Sequence, residues 1–147
     1  MEDRTIQILK LAGRGYTCSQ IMILMGLELR GETNHGLVRA MAGLAFGCGT
    51  GQASCGVLTG GCCLLALFAG KGSDDETGSE KLTAMLQDFL GWFGDRIGDP
   101  SGALACETIV GREGPAASRQ RCGTLLTDTY AKVLEILQTY EFDLSAG

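Results

Sequence analysis

The stretch SCGVLTGGCCLL, residues 54–65, predicts a tightly packed core helix. Its apolar part is too short for a membrane span, which needs about 20 residues. Gly56 and Gly60 lie four residues apart, so they share one face of this helix. They either allow another backbone to approach closely or leave space beside Cys55 for a cofactor or substrate. Because glycine in a helix costs about 1 kcal/mol relative to alanine, some compensating contact is expected in either case.

Outward from this stretch, apolar residues recur at helical spacing and no segment sustains the alternation of a half-buried strand. The predicted fold class is all-α, with residues 1–147 forming a single compact bundle of five to seven helices. Thr17 and Gln20 have the spacing of a capping box, and the polar segments 70–79 and 112–120 are interpreted as loops. The predicted helices cover residues 4–12, 18–30, 37–46, 55–69, 82–97, 105–111 and a last segment that starts near Cys122.

Composition excludes several classes of partner. The net charge is −5, and the 12 lysines and arginines are scattered, which argues against a nucleic-acid-binding protein and against attraction to an anionic membrane surface. The amino terminus is charged from its second residue and lacks the pattern of a secretory signal, so the chain is expected to be cytoplasmic. Seven cysteines are unusual in that compartment, which keeps thiols reduced, and they favour a redox, metal-binding or catalytic role.

Four cysteines fall at predicted helix starts: Cys18, Cys55 and Cys122 in a first turn, and Cys106 at or near one. Free amides and the positive end of the helix dipole favour a thiolate there, which lowers a cysteine pKa from about 8.5 to roughly 3.5–7.5. These four, hereafter the cysteine quartet, form one site only if the helix starts converge. Each of them is alternatively a small buried hydrophobic residue without chemistry.

Arginines lie close to one member of the quartet. Arg119 and Arg121 flank Cys122 and either stabilise its thiolate or lie in solvent.

The remaining polar candidates are weaker. Cys62 and Cys63 lie in the middle of a helix among leucines and are interpreted as packing residues, whereas Cys48 in a glycine-rich loop is a candidate resolving thiol. His35 is the only histidine and lies in a polar loop, so a cysteine–histidine hydrolase has little support. The acidic run 73–76 is interpreted as an exposed loop.

The quartet resembles a known family. The order Cys18, then CGVLTG from Cys55, then Cys106 and Cys122 resembles the putative redox-active protein family, which has four cysteines and a Cys-Gly-Ala-x-x-Gly motif. The resemblance extends from YTCSQ to RCGTLLTDTYAKVLEIL, with Val57 in place of the alanine. It implies a prokaryotic source and a redox role that rests on the quartet.

Three functions remain open. The first is a cytoplasmic oxidoreductase or electron-transfer protein in which the quartet cycles between thiols and disulfides with an unidentified redox partner; no CxxC motif of the thioredoxin type is present. The second is an iron–sulfur cluster or another metal held by the same four cysteines, with Gly56 and Gly60 beside the cofactor. The third is a helical interaction module, such as a homodimer, whose cysteines are structural.

Overall fold

The computed structural model describes residues 3–99, 101–111 and 115–144, and these residues form a compact all-α bundle, as the sequence predicts. Seven helices and one irregular turn, α4, make up the described part, and a 3₁₀ turn spans Ala42–Leu44. The elements are α1 Arg4–Gly13, α2 Cys18–Arg30, α3 His35–Met41, α4 Ala45–Cys48, α5 Gly56–Ala69, α6 Leu82–Ile97, α7 Cys106–Val110 and α8 Pro115–Thr139.

Helix α5, which contains the apolar stretch, lies at the centre of the bundle and packs against α2, α6 and α8. Val57, Leu64 and Leu65 are fully buried on it. Its glycines bring α2 very close: a methyl group on Gly60 would lie 3.1 Å from Met22 Cβ. The space beside Gly60 is therefore filled by α2. None of the described helices is long and apolar enough to cross a membrane.

Helix α2 begins as its capping residues predict. The Gln20 side chain accepts a hydrogen bond from the Thr17 backbone N–H (3.1 Å) and donates one to the Val38 carbonyl oxygen (3.2 Å). The fully buried Ser19 hydroxyl donates to the Met41 carbonyl oxygen (2.7 Å). These bonds satisfy buried polar groups and tie the start of α2 to the middle and the last residue of α3.

Two predicted boundaries are wrong. Helix α8 begins at Pro115, inside the segment interpreted as a loop, because proline suits the first turn of a helix, where no amide partner is needed. Residues 112–114 of that segment lie outside the described residues. The third predicted helix ends at Met41 rather than at Phe46. A 3₁₀ turn follows Met41, and the chain is then extended at Ala45 and left-handed at Phe46 and Gly47, so a right-handed α-helix cannot continue to Phe46.

Candidate functional site

A short antiparallel β-bridge between Ser54 and Ala105 places two quartet cysteines at diagonal positions, with Cys55 opposite Leu104 and Cys106 opposite Ala53. The Cys55 N–H donates to the Leu104 carbonyl oxygen (2.8 Å), and the Cys106 N–H donates to the Ala53 carbonyl oxygen (3.1 Å). Since alternate residues of an extended segment point to opposite faces, the Cys55 and Cys106 side chains lie on the same face of the bridge. Backbone pairing thus joins the start of α5 to the start of α7, although these two points lie far apart in the sequence.

Cys55 precedes α5 as its N-cap residue and is not the first helical residue, which is Gly56. The sequence predicts Ser54 as the cap of this helix, since serine is a favoured N-cap residue, but Ser54 is paired with Ala105 in the bridge. Cys55 is 4% exposed, and this burial raises the pKa of its thiol to about 11. The backbone amides of Val57 and Leu58, at the start of the helix, oppose that rise without overcoming it.

Cys18 is the first residue of α2, as predicted, and its side chain is partly exposed. A methyl group on Gly56 would lie 2.6 Å from the Cys18 sulfur, so the sulfur occupies the space that a side chain at position 56 would need. The same methyl group would lie 3.1 Å from the Leu44 carbonyl oxygen and 3.4 Å from Ala45 Cα. The Cys18 sulfur is therefore enclosed between α5 and the backbone that enters α4.

Cys106 is the first residue of α7, one residue after the predicted helix start, and it is buried. A methyl group on Gly47 would lie 3.0 Å from Cys106 Cβ and 2.6 Å from the Ala53 carbonyl oxygen. Only glycine fits at this position, where φ is +60°. The irregular turn α4 thus packs against Cys106 on one side and borders Cys18 on the other.

Cys122 lies about two turns inside α8, so its predicted position in a first turn is wrong. The early start of α8 at Pro115 is the cause. The Arg121 guanidinium donates to the Val110 carbonyl oxygen (2.6 Å), which ties α8 to the end of α7. The Arg119 side chain lies outside the described residues.

The four thiols are close enough to affect one another's ionisation. Burial is the largest cause of the rise in each pKa, which reaches about 11 for Cys55 and Cys122. The negative charges of ionised neighbours add to it: Cys18 acts on Cys106, Cys18 and Cys106 act on Cys55, and all three act on Cys122. The structure thus places all four in one region. The expectation that helix starts lower these pKa values is wrong, because desolvation of the thiolate outweighs the helix-end amides.

The other three cysteines differ from the quartet. Cys48 is exposed, and Cys62 and Cys63 are half-buried in α5. Burial, followed by the charge of Cys63, raises the pKa of Cys62 to about 11. Cys62 packs against the main core, whereas Cys63 packs against a second cluster formed by α2 and α3.

Polar groups outside the quartet form no comparable cluster in the described part of the chain. His35 is exposed at the start of α3, and residues 73–76 form an exposed loop. Within residues 3–99, 101–111 and 115–144, no group of three or more histidine, cysteine, aspartate or glutamate side chains is arranged to hold a metal ion.

Sequence reasoning missed the contribution of α4. Phe46, Gly47, Cys48 and Gly49 have successive positive φ values of 57°, 60°, 56° and 81°. The backbone amide of Phe46 lowers the pKa of Cys18, against the larger effect of burial. The glycines of this segment indicated a loop, but nothing in the sequence indicated that a non-glycine residue would adopt left-handed angles beside a cysteine.

Comparison with known proteins agrees with the resemblance seen in the sequence. No curated protein and no solved structure matches the chain. One family model matches residues 16–136, a range that contains all four quartet cysteines. Its name spells the central motif GCAxxG, where this chain reads CGVLTG from Cys55. The match covers most of the chain, which therefore belongs to the family described as "Putative redox-active protein (C_GCAxxG_C_C)".

Proposed function

We propose that the cysteine quartet is a single redox site in which pairs of thiols are oxidised to disulfides and reduced again. Each disulfide that forms releases two electrons and two protons to an external two-electron acceptor, such as another disulfide. The protein is then a small oxidoreductase or electron carrier of the cytoplasm, where a reducing environment returns the site to its thiol form.

One observation carries this proposal. The four thiols come from α2, the α5 cap, α7 and α8, yet the β-bridge links the segments of Cys55 and Cys106, and the Cys18 sulfur lies against Gly56, the residue after Cys55. The charges of these three thiols add to the rise that burial causes in the pKa of Cys122. Cysteines that serve only as packing residues have no physical reason to gather from four distant segments, so a purely structural role is the weaker interpretation. The description of the family as redox-active agrees with the proposed dithiol function.

The test is a redox titration of the anaerobically purified protein in dithiothreitol buffers of graded potential. Free thiols are blocked with N-ethylmaleimide at each potential, and peptide mass spectrometry then identifies the oxidised residues. We expect two or four quartet thiols to become unavailable in one reversible transition, while Cys62 and Cys63 continue to be blocked. If the quartet stays fully reduced while other cysteines oxidise, the proposal is wrong.

A metal centre held by the same four cysteines is the second candidate function, and it requires the four sulfurs to move, because no three cysteine, histidine or carboxylate side chains of the described residues are arranged to hold an ion. Four thiolates are the usual ligand set of an iron–sulfur cluster. The mutual repulsion that raises these pKa values would be relieved by a bound cation, which favours the thiolate form. Gly56, against which the Cys18 sulfur lies, would border such a centre, whereas the space beside Gly60 is filled by Met22 of α2.

An absorption spectrum recorded on protein purified without oxygen, together with iron and sulfide analysis, separates the two candidates. Visible charge-transfer bands with stoichiometric iron would establish the cluster and contradict the plain dithiol site. A colourless protein with a reversible thiol transition would establish the opposite.

A further inference from the structure

We propose that the quartet oxidises as two defined pairs, with one disulfide between Cys18 and Cys55 and a second between Cys106 and Cys122. The inference deepens the proposed dithiol function and rests on it. Four cysteines can form two disulfides in three ways, and their order in the chain does not distinguish these arrangements. The packing around the start of α5 favours one of them.

Helices α2 and α5 run side by side in the same direction. Their contacts join residues at one constant spacing of 38 positions, which are Cys18 with Gly56, Met22 with Gly60 and Gly26 with Leu64. Because residue numbers rise together along both helices, the helices are parallel and begin at the same level. Cys18, the first residue of α2, therefore lies beside the first residue of α5, and Cys55 directly precedes that residue.

The Cys18 sulfur faces the start of α5. It lies 2.6 Å from the position that a Cβ atom on Gly56 would occupy. The α-carbons of Gly56 and Cys55 are neighbours in the chain, about 3.8 Å apart. The Cys18 sulfur therefore needs to swing only from Gly56 to the adjacent residue, by rotation about the Cα–Cβ bond of Cys18. The Cys55 N–H keeps its hydrogen bond to the Leu104 carbonyl oxygen during this movement.

The β-bridge keeps Cys55 and Cys106 from pairing with each other. They occupy diagonal positions, and diagonal neighbours on two strands lie about 7–8 Å apart. The α-carbons of a disulfide lie about 4.4–6.8 Å apart. The bridge is held by hydrogen bonds from the Cys55 N–H to the Leu104 carbonyl oxygen (2.8 Å) and from the Cys106 N–H to the Ala53 carbonyl oxygen (3.1 Å), which a disulfide here would disrupt. This argues against the arrangement that also joins Cys18 to Cys122.

The backbone of α4 separates Cys18 from Cys106. The Cys18 sulfur and the backbone of Ala45 both lie against Gly56, at 2.6 Å and 3.4 Å from the position of its absent Cβ. Two residues later, a methyl group on Gly47 would lie 3.0 Å from Cys106 Cβ. The turn thus extends from one cysteine to the other. Cys55 is therefore the quartet member that Cys18 reaches most directly.

The second pair is brought together by the contact between α7 and α8. The Arg121 guanidinium donates a hydrogen bond to the Val110 carbonyl oxygen (2.6 Å), and Cys122 directly follows Arg121. Val110 is the last residue of α7, and Cys106 lies four residues before it, about 6 Å along the helix axis. The charge of Cys106 also contributes to the raised pKa of Cys122. The contact therefore places Cys122 near Cys106, the quartet cysteine that the first pair leaves unpaired.

Each pair is oxidised by an external disulfide. One thiol of the pair loses its proton and attacks a sulfur of that disulfide, whose S–S bond breaks. A mixed disulfide forms, and the other sulfur leaves as a thiolate that takes up a proton. The second thiol of the pair loses its own proton, attacks the cysteine sulfur of the mixed disulfide and releases the remaining sulfur as a thiolate, which is also protonated. Two electrons and two protons pass from the pair to the external disulfide. The pairs are the same whichever thiol of each attacks first.

Disulfide mapping of the full chain tests the assignment. The reduced protein is oxidised with glutathione disulfide, free thiols are blocked with N-ethylmaleimide, and the sample is acidified and digested with pepsin, so that thiolates do not exchange. Mass spectrometry before and after reduction identifies the linked peptides. We expect the Cys18–Cys55 and Cys106–Cys122 linkages each to be at least tenfold more abundant than any other linkage within the quartet. Predominance of another linkage, or formation of only one of the two, overturns the assignment.

Two double variants test the separation by α4. Cys106→Ser/Cys122→Ser keeps Cys18 and Cys55, whereas the matched control Cys55→Ser/Cys122→Ser keeps Cys18 and Cys106. Circular dichroism verifies that both fold. In glutathione buffers we expect the equilibrium constant for the intramolecular disulfide to be at least tenfold larger in the first variant. Equal constants, or a larger constant in the control, overturn the assignment, and if either variant does not fold, the linkages mapped in the parent protein decide.

Failure of this inference and failure of the proposed function are distinguishable. If the quartet oxidises reversibly in the redox titration but the mapped linkages are different ones, the dithiol function stands and the pairing is wrong. If no quartet linkage forms at any potential, the dithiol function itself is wrong.

Discussion

Cys48 has an exposed side chain and a left-handed backbone, with φ +56°. Any side chain at this position adds a Cβ that clashes with the local carbonyl oxygen, whereas glycine has none. We predict that Cys48→Gly unfolds at a higher urea concentration than Cys48→Ser, with a free energy of unfolding larger by up to about 1 kcal/mol. The serine variant is the control, because it also removes the thiol but keeps the Cβ. If the serine variant is more stable than the glycine variant, the backbone at position 48 is not strained.

At Cys55, two opposing effects act on the pKa of the thiol. Amides at the start of α5 favour its thiolate, and burial opposes it. The thiolate loses more free energy of hydration on burial than it gains from hydrogen bonds with two neutral amides. The thiol therefore remains protonated near neutral pH. A buried thiol of this kind attacks slowly, because only its thiolate form is nucleophilic.

At the scale of elements, α5 and α6 meet through a glycine. A methyl group on Gly61 would collide with the ring of Phe89, which is fully buried and packs edge-on against Phe93 with ring centroids 6.1 Å apart. The ring cannot move away without disturbing its neighbour. The glycine is therefore required by the packing between the two helices, despite its low helix propensity.

We predict that Gly61→Ala lowers the free energy of unfolding by about 1–3 kcal/mol, because overpacking outweighs the gain of about 1 kcal/mol in helix propensity. Gly91→Ala, on α6 with open space around it, is expected to raise the free energy by about 0.4–1 kcal/mol. Urea denaturation followed by circular dichroism measures both. Equal stability of the two variants would mean that the Phe89 ring has room to move.

The β-bridge is the element that most directly shapes the candidate site. It is a single pairing in an otherwise helical fold, yet it aligns Cys55 with Cys106 and closes the loop that carries α4. Two adjacent backbone hydrogen bonds hold this alignment, and a third links the Glu107 N–H to the Gly51 carbonyl oxygen (2.9 Å). This short pairing of extended segments therefore fixes the positions of Cys55 and Cys106 relative to each other, which helix packing alone would determine less tightly.

For the whole molecule, raised thiol pKa values couple stability to pH. A thiol whose pKa rises from 9.0 to about 11 on folding, as for Cys55, stays protonated in the native state while the unfolded chain ionises. Its contribution to the free energy of unfolding is complete at pH values below the pKa of the unfolded chain, and it is lost as the pH rises from 9 to about 11. Two pKa units correspond to about 2–3 kcal/mol.

We therefore predict that the reduced protein loses stability between pH 9 and pH 11, at about 1 kcal/mol or more per pH unit. Urea denaturation under reductant at several pH values measures this slope. Cys55→Ser is the comparison, since lysine and tyrosine side chains titrate equally in both proteins. A slope that the substitution leaves unchanged would contradict the burial of the Cys55 thiol.

The sequence by itself determined the helices and several of their ends. Periodicity and capping, which act between residues a few positions apart, determine the bounds of α2 and α6, the capping residues Thr17 and Gln20, and the position of Cys18 as the first residue of its helix. The same local rules wrongly predict a loop at Pro115, and so they place the start of α8 too late in the chain.

Only the tertiary structure decided how the cysteines relate to one another. Their gathering depends on the β-bridge and on the packing of α2 and α8 around α5, contacts between residues far apart in the chain. The direction of their pKa shifts depends on burial, which no single segment determines. The left-handed turn at Phe46 is likewise held by its surroundings, since its own sequence disfavours it. Local interactions thus determine where the helices form, and long-range packing determines the environment of each thiol.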